Sequence, residues 1–153
     1  MPAHTGVASF SDTIYAISAT RPSTFDAAGY GSTTITYTTI GKVQSFPEFG
    51  SQSQVNEFVP INGAVEYFKG SRRYGSGPMV VGDLPSDAGQ ILLKAAEAAQ
   101  VPYSIKITYP DGEIHYLDVL VSSWKLSGAQ EGTAMTRTAD LSLQRAPVVV
   151  AAP

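Results

Sequence analysis

The stretch YSIKITYPDGEIHY, residues 103–116, decides the fold class of this chain. Apolar and polar side chains alternate along Tyr103–Tyr109, which is the period of a β-strand with one buried face. Asp111-Gly112 is a strong signal for a tight turn between two strands. The return strand, Ile114–Val121, changes phase midway, which indicates either a bulge near Asp118 or burial of both faces. The sequence therefore predicts a β-hairpin in a largely buried sheet.

One helix precedes this hairpin and one long strand follows it. Asp87 is a suitable helix N-cap, with Gln90 three residues later, and helical spacing of the following apolar residues predicts a helix over about 87–100. Gln90 is expected on the polar stripe of this helix. The apolar stripe is expected to be Ile91, Leu92, Ala95, Ala98 and Ala99. Thr133–Arg145 alternates again, so the elements predict a mainly β (α+β) protein in which one helix covers a sheet.

Two more strands are predicted in the first third of the chain. Asp12–Ala19 and Ser32–Val43 are rich in β-branched and aromatic residues, which favour extended structure. The length of 153 residues suits a single domain, 1–153. Residues 1–11 predict an N-terminal arm, and residues 147–153 predict a C-terminal tail.

Residues 44–78 predict a long loop, with short strands near Val55–Val59 and Gly63–Lys69. Long irregular segments are uncommon in compact domains and are often functional. Aromatic residues are costly to leave in water, so those of the loop are expected to pack in this chain or against a neighbouring subunit. The predicted subunit-interface residues are Phe46, Phe49, Phe58, Tyr67, Phe68, Arg72, Arg73 and Tyr74.

The composition favours assembly over nucleic-acid recognition. Only 15% of the residues are charged, against about 25% in a typical soluble domain, which suggests that partners cover much of the surface. The net charge of −3 argues against a DNA-gripping role for Arg72-Arg73, so an interface role is preferred for this pair. The absence of cysteine fits a reducing compartment. Neither a secretory signal nor a membrane-spanning segment is expected.

No catalytic, metal or cofactor site is predicted, and the protein is not expected to be an enzyme. His4 and His115 lie far apart and lack metal-ligand spacing. Gly75-Ser76-Gly77 does not have the pattern of a nucleophile elbow. Asp111 and Glu113 flank a turn, where solvated carboxylates are common, and no cleft is predicted that would separate their pKa values.

The run from Gln90 to Pro147 resembles the major tail tube protein of lambda-like phages with long, non-contractile tails (siphophages). The matching features, in order, are a helix with a Leu-Leu pair, a strand ending in Tyr109-Pro110-Asp111-Gly112, a strand carrying Val121-Ser122-Ser123, and a Thr-Arg-Thr strand. The resemblance implies a β-sandwich or barrel-like arrangement of antiparallel sheets flanked by one helix.

The resemblance also implies a function. Such subunits form hexameric rings that stack into a hollow tail tube, a conduit for DNA delivery into the host. The implied partners are further copies of the chain, a tape-measure protein, tail-tip and terminator proteins, and DNA in transient, non-specific passage. The implied location is the virion, with the host cytoplasm during assembly. Two polar faces are candidates for the lumen lining: Thr34, Thr36 and Thr38, or Thr136, Thr138, Asp140 and Ser142.

Two alternatives stay open. A tail terminator or tail-tip ring protein has the same architecture but stops at one ring. A β-sandwich module that binds a glycan or peptide could use Trp124 and the loop aromatics, although Trp124 follows an apolar strand and is better explained as a core or interface residue.

Overall fold

The computed structural model describes residues 6–7, 9–127 and 130–152. His4, parts of the predicted arm and the last residue of the predicted tail lie outside the described residues. The elements in chain order are β1 (Ile14–Ser18), α1 (Ala27–Tyr30), β2 (Thr38–Thr39), β3 (Val43–Ser45), β4 (Gln52–Phe58), β5 (Glu66–Arg73), β6 (Ser76–Gly82), α2 (Ala88–Ala98), β7 (Tyr103–Thr108), β8 (Ile114–Val121), β9 (Lys125–Leu126), β10 (Thr136–Leu143) and β11 (Val148–Val150).

The main sheet is antiparallel and has the strand order β2-β1-β7-β8-β10-β6-β3. β11 pairs with the first part of β8, and β9 pairs with the first part of β10. β4 and β5 form a separate two-stranded sheet. The mainly β fold with antiparallel sheets flanked by a helix is confirmed, and the described strands do not close into a barrel.

The predicted β7–β8 hairpin is confirmed. Gly112 has a φ of 95°, and its N–H donates a hydrogen bond of 3.0 Å to the carbonyl of Tyr109. β7 and β8 stay in one register from Thr108 opposite Ile114 to Tyr103 opposite Val119, without a bulge. The phase change therefore reflects burial on both faces.

One hydrophobic core fills the space between the main sheet and α2. Leu93 and Ala96 point into it and are buried, whereas Ile91 is 53% exposed. Of the predicted apolar stripe, Leu92 and Ala99 pack against the core as expected, whereas Ile91, Ala95 and Ala98 are exposed, and the buried Leu93 and Ala96 were not predicted. Gln90, expected on the polar stripe, is only 3% exposed.

Backbone hydrogen bonds explain the burial of Gln90. Its Nε2 donates to the carbonyls of Gly41 and Gly82 at 3.0 and 2.7 Å, and its Oε1 accepts from the N–H of Leu84 at 3.0 Å. Asp87 caps the helix as predicted, since its carboxylate accepts from the N–H of Gln90. The Gln90 side chain thus fixes the N-terminus of α2 to the adjacent strands.

The strand predicted over Ser32–Val43 is mostly absent. Only β2 and the start of β3 are extended there, and residues 32–37 are irregular. The hydroxyls of Ser32 and Thr34 lie 2.9 Å apart, and Ser32 also accepts from the N–H of Thr34, so local polar contacts replace strand pairing. A short helix, α1, precedes this segment and was not predicted.

Candidate assembly surfaces

The β4–β5 hairpin, with the turn between its strands, carries seven exposed large apolar residues. It occupies most of the predicted long loop, and its strands overlap the two short strands expected there. Every residue of β5 is exposed. An isolated two-stranded hairpin is marginally stable in water, and clustered exposed apolar residues are uncommon on monomeric proteins. Its exposed apolar residues are Val55, Phe58, Val59, Ile61, Val65, Tyr67 and Phe68.

The base of the hairpin is fixed to the body of the protein. The N–H of Leu143, at the end of β10, donates to the carbonyl of Gly75 at 3.0 Å, and the N–H of Gly50 closes the hairpin by donating to the carbonyl of Tyr74 at 2.9 Å. Gly75 has a φ of 120°, and a Cβ there would lie 2.7 Å from the carbonyl oxygen of Glu48. This close approach requires glycine and holds the hairpin at a defined position.

The predicted interface residues fall into two groups. Phe46 and Phe49 contact their own chain: Phe46 stacks on Tyr15 at 5.0 Å between ring centroids, and Phe49 meets His115 edge to face at 5.5 Å. Tyr74 also packs against the core. Five of the eight are exposed on the hairpin: Phe58, Tyr67, Phe68, Arg72 and Arg73.

A groove of about 610 Å³ lies between the hairpin base and the end of β10. Its lining includes Arg72, Arg73 and Tyr74 from the hairpin and Ser142–Gln144 from the end of β10. Glu48 is the one acidic residue among the described lining residues. The groove is therefore open, mainly polar and positively charged.

The second face of the main sheet, opposite the core, is covered over β7 and β8 by residues 19–37. Tyr30 stacks on Tyr116 with centroids 5.2 Å apart and planes at 6°, and the hydroxyl of Tyr37 donates to the carbonyl of Tyr30 at 3.0 Å. Burial, with the nearby charge of Asp118, raises the pKa of Tyr30 to about 12. Burial also raises the pKa values of Tyr37 and Tyr116.

A buried carboxylate fixes this covering segment. The Asp118 side chain is fully buried and accepts hydrogen bonds from Nη2 and Nε of Arg21 at 2.8 and 3.3 Å. Nε of Arg145 lies 3.6 Å from the same carboxylate. Both guanidinium groups lie against the ring of Phe25, with Cζ 5.1 Å from its centroid for Arg21 and 3.7 Å for Arg145. Sequence analysis missed this cluster, although a charged residue between Leu117 and Val119 signals a buried ion pair.

The part of the second face formed by β6 and β10 is only partly buried. Asp140 accepts a hydrogen bond of 2.9 Å from the hydroxyl of Ser123. The predicted lumen residues of β10 alternate with its core residues and are Thr136, Thr138, Asp140 and Ser142. The other predicted set is not on one strand, since Thr34 and Thr36 precede β2 and only Thr38 lies in it.

The described residues contain no cluster of three or more side chains that could hold a metal ion. Nε2 of His115 lies 2.7 Å from Oε1 of Glu113, and its Nδ1 lies 3.3 Å from the hydroxyl of Tyr109.

Trp124 is partly buried against the core, with the guanidinium of Arg137 5.8 Å from its ring. None of the described helices has the length and hydrophobicity needed to span a bilayer.

No family model and no curated protein sequence matches this chain. Solved structures do match its fold. A chain of the anti-feeding prophage baseplate has a TM-score of 0.67 and 10% identity, covering 98% of this chain and 99% of the other. A chain of the sheath/tube terminator of an extracellular contractile injection system, PVC, has a TM-score of 0.64 and 9% identity, covering 97% and 100%. The SPP1 tail tube has a TM-score of 0.60 and 17% identity, covering 90% and 76%. The chain therefore shares the fold of these tail components.

Proposed function

We propose that this chain is the tail tube subunit of a phage with a long, non-contractile tail, and that it polymerises as stacked hexameric rings. The exposed apolar hairpin is the observation that carries the proposal, because seven large apolar residues stay in water until another chain covers them. Fold likeness to the SPP1 tail tube supports it. The tube is a conduit for DNA, and the protein has no enzymatic role.

The polar face of β10 is the proposed lining of the bore. Thr136, Thr138 and Ser142 are uncharged, and Asp140 adds the only formal charge of this set. Such a surface allows DNA to slide, since few cations are available to hold its phosphates. The polymer is proposed to assemble around a tape-measure protein, between tail-tip and terminator proteins, in the host cytoplasm and to remain in the virion.

A terminator or tail-tip ring is the second candidate. It is supported by the fold likeness to a sheath/tube terminator and to a chain from the anti-feeding prophage tube-terminating cap, with a TM-score of 0.57 and 11% identity. The two candidates differ in whether rings stack, because a terminator stops at one ring and a tube subunit continues.

Negative-stain electron microscopy of the purified chain at increasing concentration tests the proposal. Hollow tubes with a regular axial repeat are expected for a tube subunit, and single rings for a terminator. A chain that stays monomeric at high concentration, and also in the presence of preformed tail tips, would contradict both.

A further inference from the structure

Charge is segregated along the β4–β5 hairpin. Glu57 and Glu66 lie beside its tip, where Glu57 faces Tyr67 and Glu66 faces Phe58 across the ladder. Arg72 and Arg73 lie at the base, opposite Ser53 and Gln52, and Lys69 lies midway along the hairpin, opposite Val55. Among the described residues these five side chains form no ion pair with one another or with the body. The hairpin therefore has an acidic, apolar tip and a basic base.

The two ends have complementary chemistry. The tip presents Val59 and Ile61, which are 64% and 100% exposed, next to two carboxylates. The groove at the base presents Arg72 and Arg73 beside the partly buried ring of Tyr74. Arginine beside an aromatic ring is a combination enriched at protein interfaces, and its planar donors match a carboxylate.

Tip and groove cannot meet within one copy, because the two paired strands separate them. A β-strand advances about 3.3 Å per residue, so the eight residues of β5 hold the tip roughly 25 Å from the groove. Contact between them needs a second copy, and the resulting pair keeps one free groove on the first copy and one free tip on the second. Such a head-to-tail contact repeats around a ring or along a filament.

We propose that the hairpin tip of one copy inserts end-on into the basic groove at the base of the hairpin of a second copy. Glu57 and Glu66, which lie on opposite faces of the tip, then come close to Arg72 and Arg73. This inference rests on the proposed self-assembly and names the surface that receives the hairpin. The apolar tip supplies buried area, and the charges select the groove over other surfaces.

Two charge-reversed variants test the docking. In the groove variant, Arg72→Glu and Arg73→Glu make both ends acidic; in the tip variant, Glu57→Lys and Glu66→Lys make both ends basic. Like charges at a docked interface repel one another, so each variant alone should lose association by about a hundredfold in sedimentation velocity. An equimolar mixture should recover it, because each acidic tip then meets a basic groove and each basic tip an acidic one. Unchanged circular dichroism melting of both variants controls for folding, since all four residues are exposed.

Cysteine cross-linking gives an independent readout, because the chain has no native cysteine. Ile61→Cys at the tip and Ser51→Cys in the groove should form a mixed cross-linked dimer with a short bis-maleimide. Ile61→Cys with Ile91→Cys, on the exposed side of α2, is the matched control and should not.

The outcomes separate the docking from the proposed function. The docking would be overturned, and self-assembly left intact, by two results together. The charge-reversed variants would each assemble as well as the wild type, and Ile61→Cys with Ser51→Cys would give no cross-linked dimer. No association of the wild type and no cross-link between the two cysteine variants at any concentration would overturn both. Loss of single-stranded DNA binding in the groove variant, with association unchanged, would assign the groove to a polyanion and overturn the docking.

Discussion

Nη2 of Arg21 lies 2.8 Å from Oδ2 of Asp118, a carboxylate with no exposed surface in the middle of a central strand. Burying a carboxylate is expensive unless it is paired and hydrogen-bonded. Arg21 belongs to the segment that covers the second face of the sheet, and Arg145 approaches the same carboxylate from the connection after β10. One buried charge therefore fixes two separate parts of the chain to the sheet.

This arrangement predicts unequal losses of stability. Arg21→Ala should lower the free energy of unfolding by about 2 kcal/mol, because two charge-assisted hydrogen bonds are lost. Arg145→Ala should cost about 1 kcal/mol, since its pairing atom lies at 3.6 Å and its side chain is half exposed. The double variant should cost about 4 kcal/mol, more than the sum, because the buried carboxylate is then unpaired. Urea denaturation measures all three.

Asp118→Asn in the double-variant background is the control. It removes the unpaired charge and should restore part of the lost stability. Additive single effects, or no gain from Asp118→Asn, would contradict the assigned role of the carboxylate.

The strands that alternate regularly were predictable from sequence, because local periodicity determines them. The β7–β8 hairpin and β10 follow from alternation and from the Asp111-Gly112 turn. The two-sided burial of β8 was not decided by the sequence, since a bulge produces the same phase change. The pairing of Asp118 with Arg21, 97 residues away in sequence, and with Arg145 explains why a charge occupies that face.

The missed features depend on tertiary contacts. Gln90 is polar, and sequence placed it on the solvent side of α2; three backbone groups of neighbouring strands hold it inside. The hairpin was expected mainly as a loop because its strands lack a buried face, so their pattern carries little periodicity. The interface candidates were chosen by aromatic content, which does not distinguish the packed Phe46 from the exposed Phe68.

The buried tyrosines predict a loss of stability at alkaline pH. The pKa of Tyr30 rises from 10.0 to about 12 on folding, because burial and the Asp118 charge disfavour the phenolate. Its contribution is fully present below pH 10 and is lost as the pH rises through about 12. Burial likewise raises the pKa of Tyr109 to about 12.

Unfolding free energies measured just below pH 10 and near pH 12, with phenolate absorbance as a second signal, check this expectation. Tyr30→Phe cannot ionise and should lose less stability over that interval than the wild type. Equal losses in the two proteins would show that Tyr30 does not contribute to the pH dependence.

Gly75→Ala should destabilise the hairpin base. Gly75 has a φ of 120° and leaves no room for a Cβ beside the carbonyl oxygen of Glu48. We expect a loss of about 2 kcal/mol or more, from backbone strain and the close contact together. Gly50→Ala is the matched control, because Gly50 has a φ of 150° but open space around its Cα. A larger loss for Gly75→Ala in thermal denaturation would isolate the contact, and equal losses would refute it.

The two groups of predicted interface aromatics should respond differently to substitution. Phe68→Ser is on the hairpin, where the side chain is 55% exposed, so folding should be unaffected while self-association weakens. Phe46→Ser should lower the melting temperature, because Phe46 stacks on Tyr15 and packs against the core; replacing a large core side chain by a small one typically costs several kcal/mol. Melting by circular dichroism separates stability from association, which sedimentation measures. If Phe68→Ser melted early and associated normally, the hairpin would be a stabilising element of the monomer and not its assembly surface.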